Sequence, residues 1–435
     1  MATNWTKLYQ VFEMGPLEAN QIHDLYVDLA AVRGEDEPGA VAAYLESSVR
    51  LASGHTCQLV SGHQGSGKST ELRRLQKQLQ SGSERYFCVI CDIEGELALD
   101  DTDFPDLLLA MMRATADALR RDLGIELKPG YFATRAGEIK ALALSEVELK
   151  ELSLDAMLGT IVATLKGSPE SRSTIRKALE PKVDSLLHAA NELFDEARGS
   201  LKQRGFKDLV LIVDGSDKLK LASSAKSGEY PGERLFVNRV DQTRGFAAHV
   251  VYAIPMALAF SVLVEELSSL YQQHTPIVPV TKLLDRQGKR VEAAYQRFRE
   301  IVDKRLAFAG ANFGEVFADE AVCEELIRLS AGQPRVLCAL IRDCLRGLKQ
   351  FDKVTVKTVA RRETMAMRRA LELPHWLLIK EFAEGKQPIP DSKNRGAFRD
   401  LIGLRGLLHY RNDKEWLAVN PLIGELPEGL STQNA

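Results

Sequence analysis

Residues 57–75 carry the feature that most restricts what this chain can fold into. An apolar run, CQLVS, breaks into Gly62-His63-Gln64-Gly65-Ser66-Gly67-Lys68-Ser69-Thr70, and an amphipathic helical pattern follows over 69–81. The spacing G-x-x-x-x-G-K-[ST] between a strand and a helix is a phosphate cradle. Glycines let the backbone bend so that successive N–H groups face phosphate oxygens, and the helix N-terminus adds its positive end. Lys68 is placed to reach the β and γ phosphates, and the Ser69 hydroxyl to hold Mg²⁺. Gly62 through Thr70 is therefore the expected seat of a nucleoside triphosphate.

Such a loop needs an acid at the end of a second apolar strand. LVLIVDGSDKL, residues 209–219, supplies it, with Asp214 leaving the strand where it can hold Mg²⁺ or its water shell. Further strands are expected in YFCVICDI and HVVYAIP, and TPIVPVTKL reads as an edge strand. Helices alternate with them, among them FPDLLLAMMRATADALRRDL with Pro105 in its first turn. The pattern predicts an α/β fold with a parallel sheet covered on both faces. Residues 123–205 interrupt it as a helical insertion, with KALALSEVELKEL and 173–205 helical and a Gly-Ser-Pro break at 167–169. Ahead of the cradle, DLYVDLAAVRG looks extended and PGAVAAYLESSVRLA helical. The chain is helical from about 290 to 370. HWLLIKEFAEG and GAFRDLIGLRGLLHY then read as helices, and RNDKEWLAVNPLI as a hairpin turning at Asn412-Asp413. Helices followed by a hairpin suggest a winged helix-turn-helix.

Composition removes several function classes. With 435 residues and 45% apolar content there is material for two or three cored domains, and the net charge of −3 gives no whole-chain case for coating nucleic acid or a membrane surface. The amino terminus shows no secretory signal, and no apolar run reaches the ~20 residues of a membrane helix. Six scattered cysteines suit a reducing cytosol, and Cys88 and Cys91, three apart on one strand, point to opposite faces rather than to a shared metal. Asp100, Asp101, Asp103 and Asp106 crowd one helix start, where capping and the helix dipole account for them. Paired arginines at 361/362 and 368/369 recur on one helical face. Arg395, Arg399, Arg405 and His409 lie on or beside the candidate recognition helix, interleaved with acids, so a DNA contact there is not favoured.

The cradle, the IVDGSD strand, AGQPR at 331–335 and the terminal helices and hairpin together resemble the AAA+/STAND group of P-loop ATPases, over about residues 50–425. That group includes NACHT-type signalling ATPases and origin-recognition ATPases. The resemblance implies an N-terminal segment 1–55 packing on the core, a P-loop core 56–285, a helical lid 286–370 and a winged-helix domain 371–435. It implies ATP and Mg²⁺ as cofactors. Asp214 matches the metal-binding acid, Asp217 the second acid of a D-G-x-D pattern and the candidate for orienting water. Pro334 matches the lid proline, and Arg335 a nucleotide-sensing arginine. Arg33 lies where such ATPases contact the base or wrap the nucleotide, with Tyr26 and Val27 placed to pack on adenine. Two departures point to slow turnover: Gly215 stands where a glutamate usually follows the metal acid, and Ile254 stands at the first sensor. The expectation is a cytoplasmic switch ATPase that signals to a separate effector or sensor protein, with a homo-oligomer as a further expected partner. A DNA-handling ATPase and a nucleotide-bound scaffold without hydrolysis are the alternatives.

Overall fold

The computed structural model describes residues 4–18, 21–34, 40–128, 153–219, 230–261, 263–388, 390–391, 393–412, 414–427 and 430. The chain forms two compact units, one of Ala42–Ser61 and Arg74–Pro276, the other of Met1–Val41, Gly62–Arg73 and Ile277–Ala435.

The first of these is built on β1 (Cys57–Gly62), β2 (Arg85–Asp92), β3 (Phe206–Asp214) and β4 (His249–Ala253). The full sheet has five strands in the order β2-β3-β4-β1-β5, with the two-residue β5 (Ile277–Val278) at its edge. Pairings β2–β3, β3–β4 and β1–β4 are parallel. β3 is buried from Leu209 to Asp214 and β4 along its whole length, which is why both read as unbroken apolar runs. The α/β parallel sheet flanked by helices is thus the observed fold. Helix Phe104–Leu123 starts on a capping box of Asp103 and Asp106, carries Pro105 in its first turn, and ends at left-handed Gly124. The acids at this start do more than cap. Asp101 pairs with Arg172 and Arg176, and Asp106 with Arg176, tying this helix to Pro169–Leu179. Helices Leu154–Gly167, Pro169–Leu179 and Val183–Gln203 occupy most of the expected insertion, with Ser168 capping across the Gly-Ser-Pro break. The predicted helix KALALSEVELKEL lies outside the described residues. Cys88 and Cys91 are buried free thiols whose ionisation burial suppresses.

In the other unit, helices Glu292–Ala309, Glu320–Leu329, Pro334–Leu345 and Lys353–Arg368 bury one apolar core. Leu8, Phe12, Val27, Leu29 and Val32 from the N-terminal segment join it. DLYVDLAAVRG is extended at Tyr26, but helical turns at Ile22–Leu25 and Ala30–Arg33 flank residues 26–29. Asp28 starts the second by accepting the Ala30 N–H at 2.9 Å, a local side-chain cap that competes with extended backbone. Helices Leu373–Ala383 and Arg395–Gly403 follow, then an antiparallel hairpin of β6 (Leu407–Arg411) and β7 (Glu415–Val419). LLHY was expected to continue a helix. Arg405 at φ +61° turns the chain out of the helix, and the four residues bury as strand instead. Arg405 therefore sits in a turn and His409 in a buried strand, neither on a recognition helix. Asn412 donates to the Lys414 carbonyl to close the hairpin, and Asp413 lies outside the described residues. Arg368 is engaged over Trp376 and on the carbonyls of Ile423 and Glu425, so it is not part of an open basic face. Among the described residues no helix is long and apolar enough to cross a membrane.

Candidate phosphate-binding site

The loop from Gly62 to Lys68 is held open by its glycines. Gly65 and Gly67 have φ of +90° and +103°, backbone that a side chain resists. A Cβ on Gly67 would also come within 2.7 Å of Arg33 Nη2, and one on Gly65 within 3.3 Å of Arg335 Cβ. Among the described residues the N–H groups of Gly65 and Gly67 have no protein acceptor. Donors aimed into such a loop are the kind an anion seated there satisfies. Lys68 is buried and donates to the Gly62 carbonyl at 3.3 Å, curling over the loop it belongs to. Gln64, Ser69 and Thr70 are partly exposed at the mouth, and Ser66 is buried inside. The donor set of backbone N–H groups, one ammonium and two hydroxyls fits a polyphosphate with Mg²⁺.

Arg33 reaches this loop from behind. Its guanidinium donates to the Ser66 carbonyl and pairs with Glu71 at 3.2 Å, and Tyr26 donates to the same carboxylate at 3.2 Å. The pair is almost fully buried, so Arg33 braces the loop and the first turn of helix Lys68–Leu79. That is a different task from wrapping a nucleotide, and Val27 lies in the apolar core rather than at an adenine face.

Two other segments touch the loop from the same unit. Arg335 donates its backbone N–H towards the Gly65 carbonyl at 3.4 Å, while its side chain is exposed. His63 accepts the His409 backbone N–H at Nε2, at 3.0 Å, which joins the loop to β6. Sequence reasoning placed His63 only as a loop residue, since nothing local announces a partner 346 positions away. Burial, helped by His409, Lys68 and Arg405, pushes the His63 imidazole down to about 3. The ring is thus neutral, with its lone pair at Nε2. The folded pKa lies below the ordinary ~6.5, so this contribution to stability is complete above that pH and is lost as pH falls towards 3. Its largest slope is about 1.4 kcal/mol per pH unit. His63→Gln is expected to flatten the decline of stability between pH 6.5 and 4.5, read by urea unfolding. An unchanged slope would contradict a buried neutral ring.

The expected acids lie at the end of β3 in the other unit. Asp214 is buried and accepts the Gly215 N–H at 2.9 Å, and Asp217 is buried in the turn Ser216–Lys218. Gly215 has φ +86°, and a Cβ there would stand 3.0 Å from the Glu94 nitrogen and 3.2 Å from Asp92 Oδ1. The missing glutamate has a steric reason. Asp92, directly across the ladder from Asp214, is the acid that sequence reading passed over. Its signal was available, since VICD is a second buried strand ending in a carboxylate. Ile254 is fully buried and leaves its position apolar. Among the described residues no three His, Cys, Asp or Glu side chains gather as a metal site. Mg²⁺ in nucleotide sites takes most of its ligands from water and phosphate, so a gathered set of protein ligands is not required.

No family model matches the chain, and no curated protein matches it. Among solved structures it is similar to the ORC2 protein of Aeropyrum pernix in ADPNP–ADP complexes, at 11% identity and a TM-score of 0.45, covering 95% of this chain and 93% of that one. The Walker-type ATPase PABY2304 of Pyrococcus abyssi gives 12%, 0.46, 95% and 98%. The ORC1 protein of Aeropyrum pernix in complex with DNA gives 13%, 0.39, 95% and 93%. At such identities no residue role transfers, and the chemistry is read from residues of this chain.

Proposed function

We propose that this protein binds ATP with Mg²⁺, hydrolyses it slowly, and passes its nucleotide state on as a switch. The observation that carries the reading is the loop Gly62–Ser69, with its left-handed glycines, overlying Lys68, and the Gly65 and Gly67 N–H groups that have no acceptor among the described residues. Lys68 holds the outer phosphates, and the Ser69 hydroxyl and Asp214 carboxylate are the protein groups assigned to the metal. Mg²⁺ supplies charge neutralisation on the phosphate oxygens. Gly215 and Ile254 support slow turnover, since neither can orient water or read the γ-phosphate. The same loop meets Arg335 and, through His63, β6, which supports transmission to the C-terminal helices and hairpin. The receiver would be a separate effector protein or a second copy of the chain.

Lys68→Ala tests the site. ATP at about a hundred times Kd stabilises a native protein by about 2.7 kcal/mol, which the variant should lose while its unliganded melting temperature stays near wild type. An equal ATP-dependent melting shift in the variant would remove the loop from the binding reaction.

A DNA-handling ATPase is the second reading. Exposed Arg361, Arg362, Arg369 and Arg395 in the C-terminal segment favour it. Phosphate contacts there would give a log–log salt slope of about 0.9 per contact, and DNA affinity that is absent or flat in salt would exclude it.

A further inference from the structure

A planar trans peptide points its carbonyl and its N–H in opposite directions, so whatever fixes one fixes the other. In the phosphate loop the Ser66–Gly67 peptide is fixed through its carbonyl. Arg33 donates to that carbonyl from Nη2 and, from Nη1, to Glu71 at 3.2 Å. Both side chains are more than nine-tenths buried, so the guanidinium fork is held by packing as well as by charge. The Gly67 N–H is thereby turned away from Arg33, and it has no acceptor among the described residues. Gly67 admits the approach: its φ is +103°, and a Cβ there would stand 2.7 Å from Arg33 Nη2.

Arg33 is itself held from the other side. The Tyr26 carbonyl accepts from Lys304 Nζ at 2.6 Å, and the Val32 carbonyl accepts the Lys282 N–H at 3.2 Å. Val27, Leu29 and Val32 are buried in the apolar core of the C-terminal helices. Gly34, directly after Arg33, has φ +82°, and a Cβ on it would stand 2.3 Å from the Arg411 carbonyl oxygen at the end of β6. Residues 26–34 are thus seated on helix Glu292–Ala309 and on the hairpin, while the guanidinium they carry grips the loop.

We propose that Arg33 is a positioning residue for phosphate binding. It holds the Ser66–Gly67 peptide so that the Gly67 N–H faces the phosphate, and it makes that donor depend on how the C-terminal helices and hairpin seat residues 26–34. This role rests on the proposed nucleotide function and names the residue through which the nucleotide and the C-terminal segment sense each other. The coupling runs both ways, since a phosphate that draws on the N–H also moves the carbonyl held by Arg33. Arg33 acts through Gly67, its own charge being met by Glu71.

The experiment measures ATP and tripolyphosphate affinity by calorimetry, well below the melting temperature. It compares wild type, Lys68→Ala, Arg33→Met, Arg33→Lys and the double variant Arg33→Met/Glu71→Gln. The double variant leaves no unpaired buried charge, so it keeps the fold where the single variant does not. Arg33→Met should bind both ligands roughly ten- to a hundredfold more weakly, as for one lost charge-assisted hydrogen bond. The double variant should show the same loss. Arg33→Lys should show a smaller one, because one ammonium replaces a fork that serves two acceptors. At saturating tripolyphosphate, hydrogen exchange over residues 62–69 should show about one fewer protected amide in Arg33→Met than in wild type. A merely structural role would not produce that difference. Gly34→Ala should weaken both ligands several fold through the displaced segment, whereas Gly310→Ala, with nothing within 4 Å of its Cβ position, should not. If wild type binds and Lys68→Ala does not, yet the Arg33 variants bind like wild type, this role is overturned and the nucleotide function stands. Wild type that binds neither ligand overturns both. A lower melting temperature with unchanged affinity and protection also overturns it, by reducing Arg33 to a fold-stabilising partner of Glu71. A loss for ATP without one for tripolyphosphate overturns it by placing Arg33 on the base. Wild-type affinity in Gly34→Ala overturns the dependence on the C-terminal segment. If neither methionine variant folds, Arg33→Lys decides by the same comparison.

Discussion

Gly332→Ala is expected to lower the melting temperature by on the order of 10 °C and to weaken ATP binding with it. Gly332 has φ +78°, and a Cβ on it would stand 1.8 Å from the Thr281 carbonyl oxygen and 2.8 Å from its carbon. Both are backbone atoms, and the Thr281 N–H donates to the Gly332 carbonyl at 3.2 Å, so the two segments cannot slide apart cheaply. Ala331 beside it is also left-handed, at φ +52°, and its carbonyl accepts the Tyr410 hydroxyl at 3.0 Å. The turn therefore has no slack in which to absorb a methyl group. Left-handed backbone costs about 1–2 kcal/mol for an ordinary residue, and overpacking adds about 1–3. At 2–4 °C per kcal/mol for a unit of this size the sum is a loss on the order of 10 °C. Gln333 and Arg335 follow directly, so a displaced turn also moves them from the phosphate loop. Gly310→Ala is the control, with a similar φ of +75° but nothing within 4 Å of its Cβ position. It should lose about 1 kcal/mol. Equal losses in thermal unfolding of the two variants would show that the Thr281 approach does not matter.

The contrast between those glycines marks what the sequence could and could not carry. The phosphate loop was legible because its signal is local: glycine spacing, a preceding apolar run and a following helix fix it within a dozen residues. β3 and β4 were legible because burial on both faces leaves an unbroken apolar run. β6 was misread because LLHY suits helix and strand alike, and the deciding event is a single left-handed arginine just before it. Arg33 was placed near the loop by position, but its task depends on Glu71 and Ser66, 38 and 33 residues away. The acids at 101–106 were assigned to capping, which two of them do. Their arginine partners about 70 positions downstream come from the fold alone. The Gly215 departure was visible as a missing glutamate, whereas its cause, the backbone of Glu94 packed against it, belongs to the neighbouring strand.

That cause bears on catalysis. Asp217→Asn is expected to slow ATP hydrolysis about a hundredfold or more while leaving ATP affinity within a few fold of wild type. A positioned base contributes about 10²–10⁴ to a rate, and the amide keeps the shape of the carboxylate but cannot take a proton. Asp214→Asn differs, because an acid assigned to the metal also supports Mg²⁺-dependent binding, so affinity and rate should fall together. Installing the absent glutamate does not rescue speed. Gly215→Glu demands φ +86° from a side chain whose Cβ meets the Glu94 nitrogen at 3.0 Å, and the β2–β3 ends must shift to admit it. Its expected result is a lower melting temperature and turnover no faster than wild type, which itself should lie below the ~10 s⁻¹ typical of enzymes. Single-turnover hydrolysis separates binding from chemistry in each variant. If Asp217→Asn hydrolyses at the wild-type rate, the water is oriented by another group, and Asp92, across the ladder from Asp214, is the next carboxylate to change.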